Sequence, residues 1–425
     1  MFIYFLFIRI AALFGHRKAK KMLEGHAATK SQLAQWKAHP RSVHPIWIHA
    51  ASTGEFEQAR PLIERIKASH PHEQIVVTFF SPSGYELRKN YELADGVYYL
   101  PFATRRNAKR FLEALRPRMA VFVKYEFWPA YIRELKKRAI PLYSICAIFR
   151  PEQYFFRFWG KGQLKHLRSF THIFVQDESS RRLLAEHAVH NASVAGDTRF
   201  DRMYELVEQK KYQALSSEPR LAPFVEFSEG FERVLVAGST WPEDEKLMEQ
   251  LVARWSCDSS MTHKLILVPH ELNEEHLHFI FNLFQGRMVK YSAVSGQQSA
   301  VSRRNLLQHA QVLLVDEMGL LSSIYPFGHV AYIGGGFGAG IHNTIEAAAY
   351  GMPVLFGPNY HHFREAQGLI DAGAGRSVKK FSELAEAVED AFVRQAETGA
   401  KAAAYVQSEL GATEKILKEL RIENY

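Results

Sequence analysis

Apolar and polar residues alternate along the chain in an order typical of α/β proteins. Short apolar runs, which predict buried strands, are followed by turns of glycine, serine and threonine. Longer segments with apolar residues three or four positions apart come next and predict helices. In the first half, the predicted strands are residues 46–50, 75–80, 97–100, 119–123, 140–145 and 173–175. This alternation predicts a doubly wound parallel sheet.

The same order begins again after about residue 204. The predicted elements are strands at residues 234–237, 264–268, 311–315, 330–333 and 354–356, and two final helices at 383–392 and 400–420. Gly411 is expected to interrupt the last helix. Between the halves, a polar stretch with two prolines predicts a linker. The chain therefore divides into a domain at residues 26–210, a linker at 211–232 and a second domain at 233–425.

Residues 1–25 are predicted to form a separate membrane-associating segment. Residues 2–14 are apolar except for Arg9, and a basic cluster follows at residues 17–21. A helix needs roughly 20 apolar residues to span a bilayer, so this segment is too short. We expect its apolar helix to enter the cytoplasmic side of a membrane, with the basic cluster on anionic headgroups. The alternative is a first helix packed on the protein's own core. The polar residues 26–45 predict a connector.

The amino-acid composition indicates which class of protein and which kind of binding partner to expect. A chain of 425 residues can hold two domains with full cores, and 47% hydrophobic with 23% charged residues indicates a globular protein. The formal net charge of +8 suits an anionic partner. No nucleic-acid recognition motif accompanies this charge, so we expect no nucleic acid. Cys146 and Cys257 lack a CxxC partner, which argues against a zinc site and a disulfide framework.

Residues 334–357, GGGFGAGIHNTIEAAAYGMPVLFG, combine a strand end, a glycine loop, a helix and another strand. Glycines after a strand let backbone N–H groups approach an anion, and a helix N-terminus favours negative charge. The spacing is neither a dinucleotide fingerprint nor a P-loop, which would need a lysine. Asn343 and Glu346 share one face of the first turn. We expect a nucleotide here, although Glu346 in a solvated first turn would also stabilise the helix dipole.

Ser52, Thr53, Gly54 and Glu55 follow the first predicted strand. A carboxylate at this edge of a parallel sheet could act as a general base that takes a proton from an acceptor hydroxyl. The alternative is a capping box, in which Ser52 caps the helix and Glu55 reaches back.

Other candidates follow other predicted strands. Ser239 lies in a turn suited to a phosphate, although Thr240 and Glu243 could form a capping box there. His270 directly follows a strand and is a candidate nucleotide contact. Glu126 could be a second cleft carboxylate. Residues 196–201 could close a domain or supply Arg199 to an anion.

Seven motifs in order resemble the 3-deoxy-D-manno-octulosonic acid (Kdo) transferases of lipopolysaccharide synthesis, over nearly the whole chain. They are IHAASTGEFEQARPLI, KYEFWP, GDTRFD, AGSTW, VPHE, DEMGLL and GGGFGAGIHNTIEAAAYGMPVLFGP. The resemblance implies a GT-B glycosyltransferase, with two Rossmann-like domains facing a central cleft. It implies acceptor binding by the N-terminal domain and CMP-sugar binding by the C-terminal domain. Transfer from CMP-Kdo to lipid IVA would be inverting, with no metal or cofactor. Residues 1–21 would hold the protein at the cytoplasmic face of the inner membrane.

The resemblance also implies roles for individual residues. Glu55 would be the proton acceptor. The residues expected to bind CMP, with Ser239 near its phosphate, are Ser239, Pro269, His270, Met318, Gly319, Leu320, Asn343, Thr344, Ile345 and Glu346. Ser52, Gly54, Glu126 and Arg199 are further candidates for the cleft. His270 stands where the family often has arginine, Leu320 where it has an acid, and Ala130 where it often has asparagine. The alternatives are a GT-B enzyme for another nucleotide sugar and a non-catalytic membrane-bound scaffold.

Overall fold

Two compact units make up the protein. The computed structural model describes residues 2–38, 44–212, 218–257, 262–296, 299–420 and 422. One unit is Met1–Asp201 together with Glu409–Tyr425, and the other is Arg202–Ser408. Within the described residues, each unit contains one seven-stranded sheet, and neighbouring strands pair in parallel. The prediction of two doubly wound parallel sheets is confirmed.

The first unit has its first strand near the centre of its sheet. Its strands are β1 (Ile46–His49), β2 (Ile75–Phe79), β3 (Gly96–Tyr99), β4 (Met119–Val123), β5 (Leu142–Ala147), β6 (His172–Val175) and β7 (Ala192–Val194). Its helices up to the unit boundary are α1 (Phe2–Leu13), α2 (Arg17–Ala38), α3 (Thr53–Ser69), α4 (Pro82–Arg88), α5 (Arg105–Leu115), α6 (Pro129–Lys137), α7 (Leu164–Leu167) and α8 (Glu178–Glu186). Helix α9 (Thr198–Tyr212) contains the boundary, so most of its residues belong to the second unit. The strand order is β3-β2-β1-β4-β5-β6-β7. The order reverses between β1 and β4, where open α/β sheets bind ligands.

The second unit has a similar plan, with three strands on each side of its first strand instead of two and four. Its strands are β8 (Arg233–Thr240), β9 (His263–Pro269), β10 (Met288–Lys290), β11 (Val312–Leu314), β12 (Val330–Ile333), β13 (Val354–Phe356) and β14 (Gly375–Ser377). The remaining helices are α10 (Ala222–Ser228), α11 (Pro242–Ser256), α12 (Glu274–Leu283), α13 (Tyr291–Ser295), α14 (Ala300–His309), α15 (Leu321–Ile324), α16 (Ile345–Ala349), α17 (Arg364–Asp371), α18 (Phe381–Val393), α19 (Gln395–Ser408) and α20 (Ala412–Leu420). The order is β10-β11-β9-β8-β12-β13-β14, so the reversal lies between β8 and β12.

The central strands are buried on both faces, which explains why they appear in the sequence as unbroken apolar runs. Every residue of β1, β4 and β9 is buried. Trp47 of β1 packs its ring against Phe111 of α5 and Tyr131 of α6. The three strands not predicted, β7, β10 and β14, have three residues each and are at most partly buried. They lack the apolar run that marks the others.

The C-terminal boundary of the second domain differs from the predicted one. The prediction placed residues up to 425 in that domain, whereas Glu409–Tyr425 belong to the first unit. Gly411, with φ of +96°, separates α19 from α20 as predicted. Asp201 then holds the start of α20, because its carboxylate accepts the N–H groups of Gly411 at 2.6 Å and Thr413 at 2.7 Å.

Two segments predicted as connectors are partly helical. Helix α2 continues to Ala38, and its Trp36 is buried. Within the predicted linker, α10 buries Phe224, which stacks on Tyr291 at 5.1 Å in the second unit. Residues 39–43 and 213–217, on which other parts of these predictions fall, lie outside the described residues.

Helix α1 shows features of both alternatives considered for it. Ile8 is buried in a small cluster with Met22 and Phe102, as expected for a helix packed on the protein. Leu13 and Phe14 are each 86% exposed, as expected for a membrane contact. Among the described residues, no helix is both long and apolar enough to cross a bilayer.

We expect Asp201→Ala to loosen the start of α20. The substitution leaves two N–H groups and the Thr413 hydroxyl without their charged acceptor, and hydrogen bonds to charged groups contribute about 1.5–3 kcal/mol. Amide hydrogen exchange at Gly411 and Thr413 should therefore accelerate at least tenfold. Glu414→Ala, on the exposed side of α20, is the matched control. Equal exchange in the two variants would contradict this role.

Candidate active site

Glu55 lies at the carboxyl edge of the first sheet, on the third residue of α3. Ser52 is the N-cap, and its hydroxyl accepts the Glu55 N–H at 3.4 Å. The Glu55 carboxylate accepts the N–H of Ala51 at 2.5 Å. The capping alternative is therefore correct for the local structure, with Glu55 reaching one residue beyond the cap. This single hydrogen bond leaves most of the carboxylate's hydrogen-bonding capacity available.

Glu126 follows β4, on the other side of the strand-order reversal. Its Oε2 accepts Trp128 Nε1–H at 2.5 Å and lies 3.1 Å from His49 Nε2. His49 Nδ1 lies 2.9 Å from Thr78 Oγ1, which in turn accepts Trp47 Nε1–H at 2.8 Å. His49 Nδ1 also lies 3.0 Å from the Thr78 carbonyl oxygen, so both ring nitrogens have polar partners, and their donor and acceptor roles follow the tautomer. Trp128 therefore orients the Glu126 carboxylate through its indole N–H.

The environment of Glu55 favours its neutral form. Burial raises its pKa, the negative charge of Glu126 raises it further, and the Ala51 N–H, His49 and Lys124 oppose these effects. The result is a pKa of about 7 against an ordinary value of 4.5. A carboxyl group tuned to this range can accept a proton efficiently near neutral pH.

Arg199 is held by a neighbouring acid. Its guanidinium donates to Asp197 Oδ2 through Nε at 3.0 Å and through a terminal nitrogen at 2.7 Å. Asp197 is buried and also accepts from Gln58 Nε2 at 2.9 Å. Burial raises the Asp197 pKa, but the Arg199 charge and hydrogen bonds outweigh it and keep the pKa low. Arg199 thus has a structural partner, and its predicted contact with an anion stays a prediction.

Asp244 joins two loops at the carboxyl edge of the second sheet. It is the third residue of α11 and only 1% exposed. Its Oδ2 accepts the N–H groups of Trp241 at 3.0 Å and Gly335 at 2.9 Å, and its Oδ1 accepts the Tyr332 hydroxyl at 2.7 Å. The predicted capping box of Thr240 and Glu243 is wrong. The helix begins one residue later, so Trp241 and Asp244 occupy those positions.

Three aromatic rings meet beside this junction. His270 stacks on His342 with ring centres 4.2 Å apart and on Trp241 at 4.9 Å. Trp241 Nε1 donates to His342 Nε2 at 3.2 Å. Burial lowers the His342 pKa to about 4, and the nearby His270 lowers it too, so His342 is neutral at pH 7. The exposed His270 ring forms the outer face of this stack.

The glycine loop after β12 is packed closely against other backbone. A Cβ on Gly334 would collide with the carbonyl of Ser239, and one on Gly336 would collide with the backbone of Gly357. These two glycines are therefore required by packing. Helix α16 has five residues, which limits the dipole available at its N-terminus. Asn343 Oδ1 accepts the Ile345 N–H at 3.1 Å and shapes the approach to that helix.

The predicted CMP-binding residues lie at or beyond the ends of four adjacent strands, β11, β9, β8 and β12. Ser239 was predicted in a turn but lies within β8, and Pro269 is the last residue of β9. Ser239 has a left-handed backbone, with φ of +55°. Met318 is 72% exposed, whereas Leu320 is buried and presents no side chain. Pro269, Thr344 and Ile345 are buried, Gly319 and His270 are exposed, and Asn343 and Glu346 are partly buried. Gly54, in the first unit, is exposed.

His276 has a structural role that the sequence did not reveal. It is buried, and its Nε2 lies 2.9 Å from the buried Glu245 carboxylate. Its Nδ1 lies 2.9 Å from the Glu271 carbonyl. Glu245 also accepts the Thr240 hydroxyl at 2.9 Å. These contacts fasten the loop after β9 to α11 and so position His270.

The comparisons with known proteins agree with the predicted resemblance. Residues 19–202 match the family model described as 3-Deoxy-D-manno-octulosonic-acid transferase (kdotransferase). The chain is 27% identical over 346 residues to a 3-deoxy-D-manno-octulosonic acid transferase of Aquifex aeolicus, covering 80% of this chain and 83% of that one. A Haemophilus influenzae protein of the same name is 27% identical over 330 residues, covering 75% and 72%. The chain is accordingly a glycosyltransferase similar to Kdo transferases.

Solved structures confirm the GT-B type of fold. A UDP-GlcNAc 2-epimerase from Neisseria meningitidis has a TM-score of 0.62 at 15% identity, covering 88% of this chain and 99% of that one. An α,α-trehalose-phosphate synthase from Burkholderia vietnamiensis has a TM-score of 0.51 at 10% identity, covering 89% and 99%. At these identities the likeness concerns the fold alone.

We expect Glu126→Gln to lower the Glu55 pKa. Removing the neighbouring negative charge should shift it from about 7 toward 4.5 without reaching it, because burial is the larger cause and remains. The shift can be followed by NMR titration of carboxyl-labelled glutamate. Glu64→Gln, toward the other end of α3, should leave the Glu55 titration unchanged. A wild-type midpoint near 4.5 would contradict this electrostatic account.

Asp244→Ala should loosen both loops of the second site. It leaves two N–H groups and one buried hydroxyl without their acceptor, which we expect to cost about 3 kcal/mol in the free energy of unfolding. Hydrogen exchange at Trp241 and Gly335 should accelerate together, and the urea midpoint should fall. The adjacent Glu243→Ala removes only a surface ion pair with Lys246 and is the control. Faster exchange at one amide alone would argue against a shared clamp.

Proposed function

We infer that the protein transfers Kdo from CMP-Kdo to a hydroxyl of the lipid A precursor lipid IVA, with inversion at the anomeric carbon. Glu55 is the general base. It takes the proton of the acceptor hydroxyl while that oxygen forms the bond to the anomeric carbon and CMP departs with the electrons of the broken bond. The observation that carries this proposal is the Glu55 carboxyl group, poised at a pKa of about 7 with one hydrogen bond in use.

The second unit supports the donor side of the proposal. Ser239 lies near the end of β8, and His270 and Asn343 follow β9 and β12, the strands on either side of it, at the edge where α/β sheets bind nucleotides. The outer His270 ring offers a stacking surface for a base. The hydrogen bonds of Asp244 hold the flanking loops in one position. The entropy cost of ordering these loops is therefore met during folding and not during donor binding. The resemblance supplies CMP as the nucleotide.

A phosphorylated lipid acceptor fits the charge and the N-terminus of the chain. The net charge of +8 favours an anionic substrate, and α1 exposes Phe7 and Leu13, with Phe14 exposed directly after it. We propose that this helix lies on the cytoplasmic face of the inner membrane, where it would meet the acceptor. Metal independence and the absence of a cofactor also remain part of the proposal.

Another nucleotide sugar is the nearest alternative, because the fold alone admits UDP-sugar enzymes. Thermal stabilisation by CMP, UDP and GDP discriminates between these donors, since a ligand stabilises the state that binds it. Stabilisation by CMP supports CMP-Kdo, and stabilisation by UDP alone overturns it. A non-catalytic scaffold would give no turnover with any nucleotide sugar.

Glu55→Gln tests the general base directly. The amide keeps the size of the side chain but cannot accept the proton, so turnover of CMP-Kdo with lipid IVA should fall about 10²–10⁴-fold. Stabilisation by CMP should persist, because Glu55 belongs to the other unit. Glu64→Gln should retain wild-type turnover. Near-wild-type turnover of Glu55→Gln would exclude Glu55 as the base.

A further inference from the structure

A groove of about 740 Å³ lies between α2 and α5 in the first unit. This volume is within the range of about 300–1,000 Å³ found for ligand pockets. Leu23, Leu33, Phe102 and Phe111 line it with apolar surface. From α2, the lining residues recur every three or four positions, so one face of the helix borders the groove along much of its length.

Small side chains keep this groove open. Ala27 and Ala34 both line it and both are exposed, although they lie on the inward face of α2. A larger apolar residue at either position would fill the space and cover the floor. An uncovered apolar floor costs free energy in water, so the groove favours an apolar occupant.

Positive charges border the same groove. Lys30, Lys37 and Arg110 line it, and none of the three forms an ion pair with another described residue. Glu113 is the one acid in the lining, and it faces Lys109 at 3.8 Å and Arg138 at 3.7 Å. Unpaired cations beside apolar surface fit an anionic amphiphile better than a neutral one.

His26 adds a polar group inside the groove. Its ring stacks on Phe102 with centres 4.2 Å apart, and burial lowers its pKa to about 4. Its Nε2 is buried and has no hydrogen-bond partner among the described residues. The His26 ring therefore lines the groove as a neutral aromatic surface.

The groove is also next to the exposed apolar helix. Arg9 of α1 lines it, and Phe102 contributes both to the groove and to the cluster that holds Ile8 of α1. A bilayer touched by Leu13 and Phe14 would therefore bring lipid close to the groove.

We propose that this groove binds one anionic phospholipid of the bilayer. An acyl chain lies on the apolar floor, the phosphate is held by Lys30, Lys37 and Arg110, and the glycerol or ester region reaches His26. The site is a discrete lipid pocket in addition to any contact of α1 with the membrane surface, and it does not depend on the proposed transferase reaction.

The test is native mass spectrometry of the full chain with dioctanoyl phosphatidylglycerol and dioctanoyl phosphatidylcholine as soluble probes. We expect saturable binding of one phosphatidylglycerol and at least tenfold weaker binding of phosphatidylcholine. Ala34→Trp should abolish binding by filling the groove. The double variant Lys30→Gln/Arg110→Gln, which leaves the groove open, should weaken it roughly tenfold or more. Lys109→Gln, on the same helix but outside the lining, is the control and should bind normally.

Three results would overturn the proposal. Equal binding of the two lipids would show that the cations do not select a charged headgroup. Unchanged binding to Ala34→Trp would place the lipid elsewhere. Binding of a bisphosphorylated glycolipid alone would assign the groove to an acceptor instead of a bilayer phospholipid. Circular dichroism of each variant separates loss of the site from loss of the fold.

Discussion

In each sheet, the first strand is followed by a helix whose third residue is an acid, Glu55 in the first unit and Asp244 in the second. The carboxylate of this residue organises the carboxyl edge of the sheet. In the second unit, Asp244 is buried, and three donors compensate the cost of removing its charge from water. Two of these donors belong to different loops, so the carboxylate fixes their separation. In the first unit, Glu55 occupies the equivalent position but accepts one N–H, from Ala51. The same place in the fold thus holds a structural acid in one unit and a titratable acid in the other.

This difference explains how one architecture supplies two kinds of chemistry. The Asp244 carboxylate accepts hydrogen bonds that hold two loops in place, and these loops border a surface of aromatic rings and backbone groups. Such a surface suits ligand binding. Glu55 is partly buried beside Glu126, and its incomplete hydrogen bonding leaves its pKa near 7. His49 and Trp128 hold Glu126 in place, so the charge that tunes Glu55 is itself fixed. Both sites lie where the strand order reverses, and the fold therefore positions them before any ligand arrives.

The sequence predicted the repeated sheets because buried parallel strands are apolar throughout, as in β4 and β9. It also placed Glu55 and the residues at the ends of β8, β9 and β12 at the correct edge.

The sequence did not reveal the role of Asp244, since one acid in the first turn of a helix looks like another until burial is known. Ser52 and Trp241 are the N-cap residues of α3 and α11, so the two helix starts align Ser52 with Trp241. Helix α20 returns to the first unit through contacts of Asp201 with Gly411 and Thr413, which lie 210 and 212 positions further along the chain. No local sequence pattern reveals such contacts.

Mass spectrometry of lipid IVA after incubation with CMP-Kdo and the purified protein measures the central claim, that the chain transfers Kdo to this acceptor. The account predicts a product heavier by one or more Kdo residues, with release of CMP and no requirement for added metal. The number of increments also gives the number of units transferred. Unmodified lipid IVA with CMP-Kdo, together with a glycosylated product from a different nucleotide sugar, would contradict the account.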